Sequence, residues 1–204
     1  MTRSTADPAA PADPRQRLLD GLAAALHEHT YAEVTVAHVV SQARVSRRTF
    51  YEHFASKEEA LLALCEAVSQ QILSLIAVGY DHQADWVAQL RRATQAYLGA
   101  LEQQPVLIRT LFIELMSLGP KGWQVRRQIH QRFADFIQMQ VELSRLQEPR
   151  KRPLSPALAL GIVGGINELI VDAIERGQAA QLSQLAGAAT ELVEAVLRSL
   201  EPAD

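Results

Sequence analysis

Between residues 41 and 57 the chain carries Arg44, Arg47, Arg48 and Lys57 against a single acid, Glu52. The whole chain has 20 Lys and Arg against 23 Asp and Glu, a formal charge of -3. Positive charge is therefore concentrated in one short stretch. Interleaved with it are Ser46, Thr49, Tyr51 and His53. Guanidinium groups pair with phosphate, or bidentately with a guanine edge, while hydroxyls, phenols and ammonium groups hold phosphate oxygens. The chemistry open to this set is nucleic-acid binding. The bland alternative is a solvated basic helix in an ordinary bundle.

The elements that must position these groups can be read from the same run. Residues 35–54 pattern as two short helices joined by a tight turn. Val36, Val39 and Val40 give the first an apolar face, Ala43 is small enough for close helix crossing, and Val45 plugs the corner. Ser46 is placed to cap the second helix through the amide of Thr49. Phe50 and Phe54, four apart, face inward, leaving Arg47, Arg48, Thr49, Tyr51 and His53 outward. Two helices with an arginine-bearing second helix match a helix-turn-helix reading the major groove.

The pattern continues past the second helix. Residues 44–62, Arg-Val-Ser-Arg-Arg-Thr-Phe-Tyr-Glu-His-Phe-Ala-Ser-Lys-Glu-Glu-Ala-Leu-Leu, resemble the N-terminal domain of TetR/AcrR-family transcriptional regulators. The resemblance covers about residues 14–64. It implies a three-helix DNA-binding head, a linking fourth helix, and a C-terminal domain that dimerises and binds a small effector. By matched positions, Thr35 would start the second helix at a phosphate. Ser46, Arg47, Arg48 and Thr49 would lie in or beside the groove, and Tyr51, His53 and Lys57 would clamp the backbone. Two positions depart from the family: Arg44 and Thr30 stand where Gly is usual. Arg44 adds charge and is expected in a left-handed conformation at modest cost. A winged helix is excluded, because a Ser56-Lys57-Glu58-Glu59 capping box and a Leu-rich helix follow at once, with no hairpin.

Proline and capping residues mark the remaining boundaries. We expect helices near 14–29, 35–42, 46–54, 57–79, 84–104, 105–118, 121–147, 156–176 and 182–200. The fold class is therefore all-α, about nine helices in a helix-turn-helix head plus a larger helical domain. The expected division is a disordered arm over 1–13, a DNA-binding domain over 14–56, and an effector-binding and dimerisation domain over 57–204.

The C-terminal domain is less legible. Gly161, Gly164 and Gly165 cluster in one helix, and glycine there costs about 1 kcal/mol against alanine, which points to close helix contact. With Leu192 and Val196 of the last helix they are candidates for a homodimer interface, and two-fold symmetry would then call for a palindromic operator. Intrachain packing alone is the alternative. Tyr97, Phe112, Met116, Phe133, Phe136 and Met139 read mainly as core. Trp123, His130 and Asn167 are the candidate effector contacts, since a mostly apolar pocket needs a few polar orienters. The excess of basic residues over 121–152 reads as a solvated face and loop rather than an anion site.

Other functions find little support. None of the six His lies four residues from another, and no His-Glu-x-x-His, phosphate loop or nucleophile elbow occurs, so no catalytic residue, metal or cofactor is assigned. The single Cys65 excludes an intramolecular disulfide and suits a reducing compartment. The start has no apolar leader, and the run from Ala157 to Ile166 falls short of the ~20 residues that cross a bilayer. A cytoplasmic protein without a membrane partner is expected. The favoured reading is a dimeric repressor released from double-stranded DNA by a largely apolar small molecule. The alternative is a helical small-molecule-binding or dimerisation protein without DNA function.

Overall fold

The computed structural model describes residues 13–79, 86–146 and 150–200. The expected N-terminal arm falls almost wholly outside them. Among the described residues there is no strand, and nine helices run in sequence. They are α1 (Pro14–Glu28), α2 (Val36–Ala43), α3 (Arg47–His53), α4 (Lys57–Val78) and α5 (Trp86–Glu102). The sixth, α6, is built from Pro105–Arg109, a π-helical stretch Thr110–Glu114 and Leu115–Ser117. Then come α7 (Pro120–Arg145), α8 (Pro156–Glu175) and α9 (Ala186–Arg198), the last preceded by a 3-10 segment, Ala179–Leu185. The chain divides into two compact units, with the boundary between Leu64 and Cys65 in α4.

The first unit closes on leucines spaced along one face of α1. Leu18, Leu19, Leu22, Ala25 and Leu26 are buried with Tyr31, Val34, Val39, Phe50, Phe54 and Leu61. Each large apolar side chain contributes ~1.5–3 kcal/mol on burial. Asp13 caps α1 by accepting from the Arg15 amide at 3.2 Å, with Pro14 at the first helical position, where its missing N–H costs nothing. Thr30 needs no unusual backbone. The Glu33 carboxylate accepts from its amide and its hydroxyl, at 3.0 and 2.8 Å, and so closes the turn into α2.

The second unit is a bundle whose centre is formed by Ala134, Val141, Ala159, Ile162, Val163, Val193 and Leu197. Ser155 caps α8 by accepting from the Leu158 amide at 3.3 Å. Gly119, at φ +64°, starts α7. At Gly122 a Cβ would come within 1.9 Å of the Leu115 carbonyl, so this corner admits only glycine. The last helix differs from expectation at its start. A 3-10 segment precedes it, held where the Ser183 amide donates to the Glu102 carboxylate at 2.6 Å.

Two helices, α4 and α8, are long and apolar enough to cross a membrane by length and composition. In α8 the apolar run is interrupted by Asn167 and Glu168, and the helix continues past them to Glu175. Both helices place apolar side chains in the core, including Leu61, Ile72, Ile162 and Ile170.

The basic stretch after residue 121 is more structural than expected. Arg145 Nε donates to the Lys151 carbonyl at 2.8 Å. Arg152 bonds Ser199 through its side chain and the Leu200 carbonyl through its amide. Lys151 is buried. These groups hold the α7–α8 connection.

Candidate functional site

The turn between α2 and α3 adopts the conformation expected of a helix-turn-helix with arginine at its corner. Thr35 caps α2, accepting from the His38 amide at 3.3 Å. Arg44 ends the helix at φ 52° and ψ 47°, the one non-glycine residue with positive φ among those described. Such a conformation costs an L-residue ~1–2 kcal/mol. The compensation comes from α1. Arg17 Nη2 donates to the Ala43 carbonyl at 2.8 Å and to the Arg44 carbonyl at 2.7 Å, supplying a cation where the helix dipole is negative. Nothing in local spacing points to Arg17, which lies 26 residues from its first partner.

This pairing gives a prediction. Arg44→Gly should stabilise the head by ~1 kcal/mol by removing the left-handed cost. Arg17→Ala should cost about 1.5–3 kcal/mol, and less when Arg44 is already glycine. Thermal unfolding of the two single variants and the double variant measures the coupling. Additive effects would show that Arg17 does not hold the turn.

Ser46 caps α3, accepting from the Thr49 amide at 3.0 Å, and its Oγ lies 2.9 Å from Thr49 Oγ1. Phe50 and Phe54 are buried, with ring centroids 5.8 Å apart. Arg44, Ser46, Arg47, Arg48 and Tyr51 are exposed, while Thr49 and His53 are half-buried. The Tyr51 ring stands edge-on to Phe50 at 5.4 Å. The two arginines at the start of α3 are not equivalent. Arg48 Nε pairs with Glu52 at 3.0 Å, four residues on. Arg47 has no partner among the described ion pairs and hydrogen bonds.

Lys57, which the resemblance sets at the DNA backbone, is also held within the head. Its ammonium donates to the carbonyls of Tyr31, at 2.8 Å, and Val34, at 2.9 Å, and lies 4.3 Å from the centre of the Tyr31 ring. Two of its three donors are thus occupied inside the head, where they tie the turn before α2 to the start of α4. The capping box is also shifted. Ser56 accepts from the Glu59 amide at 3.3 Å, but Glu59 reaches back to the Ala55 amide, at 2.7 Å, rather than to that of Ser56.

The C-terminal unit contains two neighbouring cavities of about 80 and 100 Å³. Both are lined chiefly by apolar side chains. Tyr97, Phe133 and Asn167 line both, His130 and Phe112 the first, and Phe136 the second. His130 is buried, and that burial, then the Arg126 cation, lowers its pKa to about 4, so it is neutral near pH 7. Asn167 lies beside the His130 side chain and donates to the Val163 carbonyl at 2.9 Å. These two candidate effector residues therefore come together at the cavity wall. Trp123 does not join them. It lies in the first turn of α7, 55% exposed, and lines neither cavity. Met116 and Met139 are likewise exposed rather than core. Cys65 lines the first cavity, and burial pushes its thiol up to about 12, which keeps it protonated.

The glycines of α8 divide. A Cβ on Gly165 would lie 2.7 Å from Leu192 Cδ2, so this glycine admits α9 of the same chain. Gly161 and Gly164 meet nothing within 4 Å. Val196 is half-buried against the core of its own unit.

Comparison with known proteins agrees with the head's geometry. Residues 18–64 match the bacterial regulatory proteins of the tetR family. The chain carries a TetR-family head. Among similar proteins is the nucleoid occlusion factor SlmA of Marinomonas sp. (strain MWYL1), 27% identical over 148 residues, 72% of this chain and 74% of that one. The SlmA of Vibrio cholerae is 28% identical over 155 residues, covering 74% and 79%. The fold also matches FadR from Bacillus subtilis, solved in complex with stearoyl-CoA, with TM-score 0.72 and 18% identity over 89% of this chain and 97% of that one. A putative TetR-family regulator from Syntrophomonas wolfei matches with TM-score 0.73 and 17% identity, covering 94% and 98%.

Proposed function

We propose that this TetR-family regulator is a homodimeric repressor that leaves a palindromic operator when a largely apolar small molecule fills the cavities of its C-terminal unit. The observation that carries the reading is the pairing, in one chain, of an exposed basic recognition helix with an apolar cavity pair holding a buried polar couple, His130 and Asn167. Such a cavity is the expected form of a small-molecule site, with few polar groups to fix orientation. The FadR of similar fold, solved with stearoyl-CoA, is consistent with an effector that has a long apolar part.

On the DNA side, Arg47 is the proposed base reader. Thr35, Arg44, Ser46, Arg48, Thr49, Tyr51 and His53 hold phosphates or flanking bases. Lys57 acts inside the head. The proposed subunit interface is the α8 face around Gly161 and Gly164, whose outward sides are open, with Gly165, Leu192 and Val196 supporting it from behind. We assign the head to about residues 14–56 and the effector and dimer functions to the chain from 57 onward. No enzymatic activity is assigned, and the expected site of action is the cytoplasm.

The test is DNA occupancy under ligand. Purified protein bound to DNA fragments selected from the source genome is titrated with apolar compounds that raise its melting temperature. Binders should release the DNA in proportion to their occupancy. Compounds that bind tightly and never change DNA affinity would contradict the regulatory reading.

A further inference from the structure

The two cavities share a wall formed by Tyr97, Phe133 and Asn167. The rings of Tyr97 and Phe133 are 5.4 Å apart and inclined at 59°, and both line each cavity along with Asn167. The lobes on either side differ in chemistry. The first carries Arg126 and His130. Among the described residues Arg126 pairs with Glu168 at long range, 3.9 Å, and the Glu168 side chain is largely exposed. The second lobe has no charged lining residue. Its Gln140 is buried, and the side-chain oxygen Oε1 has no hydrogen-bond partner. A buried acceptor left unpaired is costly, and a ligand donor removes that cost.

Shape narrows the ligand further. Each lobe, at about 80 and 100 Å³, is smaller than the ~150 Å³ cavity that seats a benzene ring. A slender chain fits such a shape where fused rings do not. Arg126 and Gln140 both belong to α7, and fourteen residues of helix rise about 21 Å. A zigzag of ~1.5 Å carbon–carbon bonds advances about 1.3 Å per atom. A chain of about 12 carbons covers most of this span, and the Arg126 and Gln140 side chains cover the rest.

We propose that the effector is an unbranched monocarboxylate lying across both lobes, its carboxylate at Arg126 and a hydroxyl at its far end donating to Gln140. This rests on the effector-binding reading above. The carboxylate takes the place of Glu168 at shorter range on Arg126. The chain crosses the shared wall beside the Tyr97–Phe133 pair, whose rings touch each other, with Asn167 next to it. The positive field at the carboxylate end has a second sign in His130, which is held neutral partly by Arg126.

The experiment is direct calorimetric binding to the full chain without DNA, using dodecanoate, 12-hydroxydodecanoate, dodecan-1-ol and a fused-ring carboxylate. The hydroxy acid should bind about fivefold tighter than dodecanoate, as one neutral hydrogen bond would give. Dodecanoate should bind about tenfold tighter than the alcohol, as a charge-assisted pair would give. Arg126→Gln should abolish the preference for acid over alcohol and keep the preference for the terminal hydroxyl. Gln140→Leu should do the reverse. Each variant thus retains one preference that certifies its fold.

Several outcomes overturn the proposal: alcohol binding as well as acid, the fused-ring acid binding as tightly as the chain, Arg126→Gln leaving the acid preference intact, or no chain binding at all. Release of DNA by some other apolar compound, with no chain bound, would sink this proposal alone. Chain binding as described, without any change in DNA affinity, would sink the regulatory reading and leave the site standing.

Discussion

Replacing Gly21 by valine should unfold the DNA-binding head and leave the C-terminal unit folded. A Cβ at this position would lie 2.7 Å from the Val39 carbonyl oxygen and 2.8 Å from both the amide nitrogen and the Cβ of Ala43. Two of those three neighbours are α2 backbone, which cannot swing aside as a flexible side-chain end can. The helices would have to separate, and with them the core around Leu18, Leu22 and Val39, all buried. Overpacking typically costs 1–3 kcal/mol, and against backbone we expect the upper end or beyond, ~3 kcal/mol. A head of this size has little stability in reserve, so that cost removes most of it. Calorimetry should show an early transition lost or moved down by tens of degrees, with DNA binding abolished. A head that melts normally with valine at 21 would contradict the close crossing of α1 and α2.

Gly164→Leu should act in the opposite way, leaving the single chain intact and removing its partner. Nothing lies within 4 Å of a Cβ at Gly164, so the substitution is accommodated within the chain. If the α8 face meets a second copy, the added side chain holds the helices apart. Sedimentation should then show half the mass, and operator affinity should fall by about 100-fold or more as two half-sites cease to be bound together. Gly165→Leu is the contrast, because it strikes Leu192 Cδ2 of its own chain at 2.7 Å and should lower stability first. A dimer of unchanged mass and affinity in Gly164→Leu would place the interface elsewhere.

How much of this was legible depended on the range of the interaction. The caps at Asp13, Ser46 and Ser155 and the leucine stripe of α1 lie within one or two helical turns, and local spacing reveals them. The corner at Arg44 was visible because one residue type stood where the family keeps glycine. Arg17 was not, because its two carbonyl partners are brought to it only when α1 crosses α2. The same crossing explains Gly21, which looks like a mildly unfavourable helix residue until its neighbours are known. The inward bonds of Lys57 were hidden for a related reason. Its position matches the family pattern, but the carbonyls of Tyr31 and Val34 that hold it come from a turn whose geometry no periodicity encodes. In the C-terminal unit the stripe of aromatics marked a half-buried face, that of Tyr97, Phe112, Phe133 and Phe136. Spacing could not tell which of them border empty space, so Tyr97 and Phe133, which line the cavities, read as core along with the exposed Met116 and Met139, while the exposed Trp123 read as an effector contact. The π-helical stretch over Thr110–Glu114 contains no glycine or proline to announce it.

The central claim is that this chain reads DNA sequence through α3, and Arg47 tests it best. Arg47 and Arg48 both open the helix, where recognition helices contact bases. Arg48 is tethered to Glu52 while Arg47 is exposed and unpaired among the described residues. Adjacent positions also point about 100° apart around the helix, so the two arginines have different targets. The measurement is a binding selection on randomised duplex DNA with wild type, Arg47→Ala and Arg48→Ala. Wild type should enrich a two-fold symmetric site. Arg47→Ala should lose about 1–3 kcal/mol and relax one position in each half-site, symmetrically. Arg48→Ala should weaken all sites alike, with a smaller salt dependence. Selection of no sequence by the wild-type protein, at any salt concentration and without effector, would contradict the account and favour a helical binding protein that does not act on DNA.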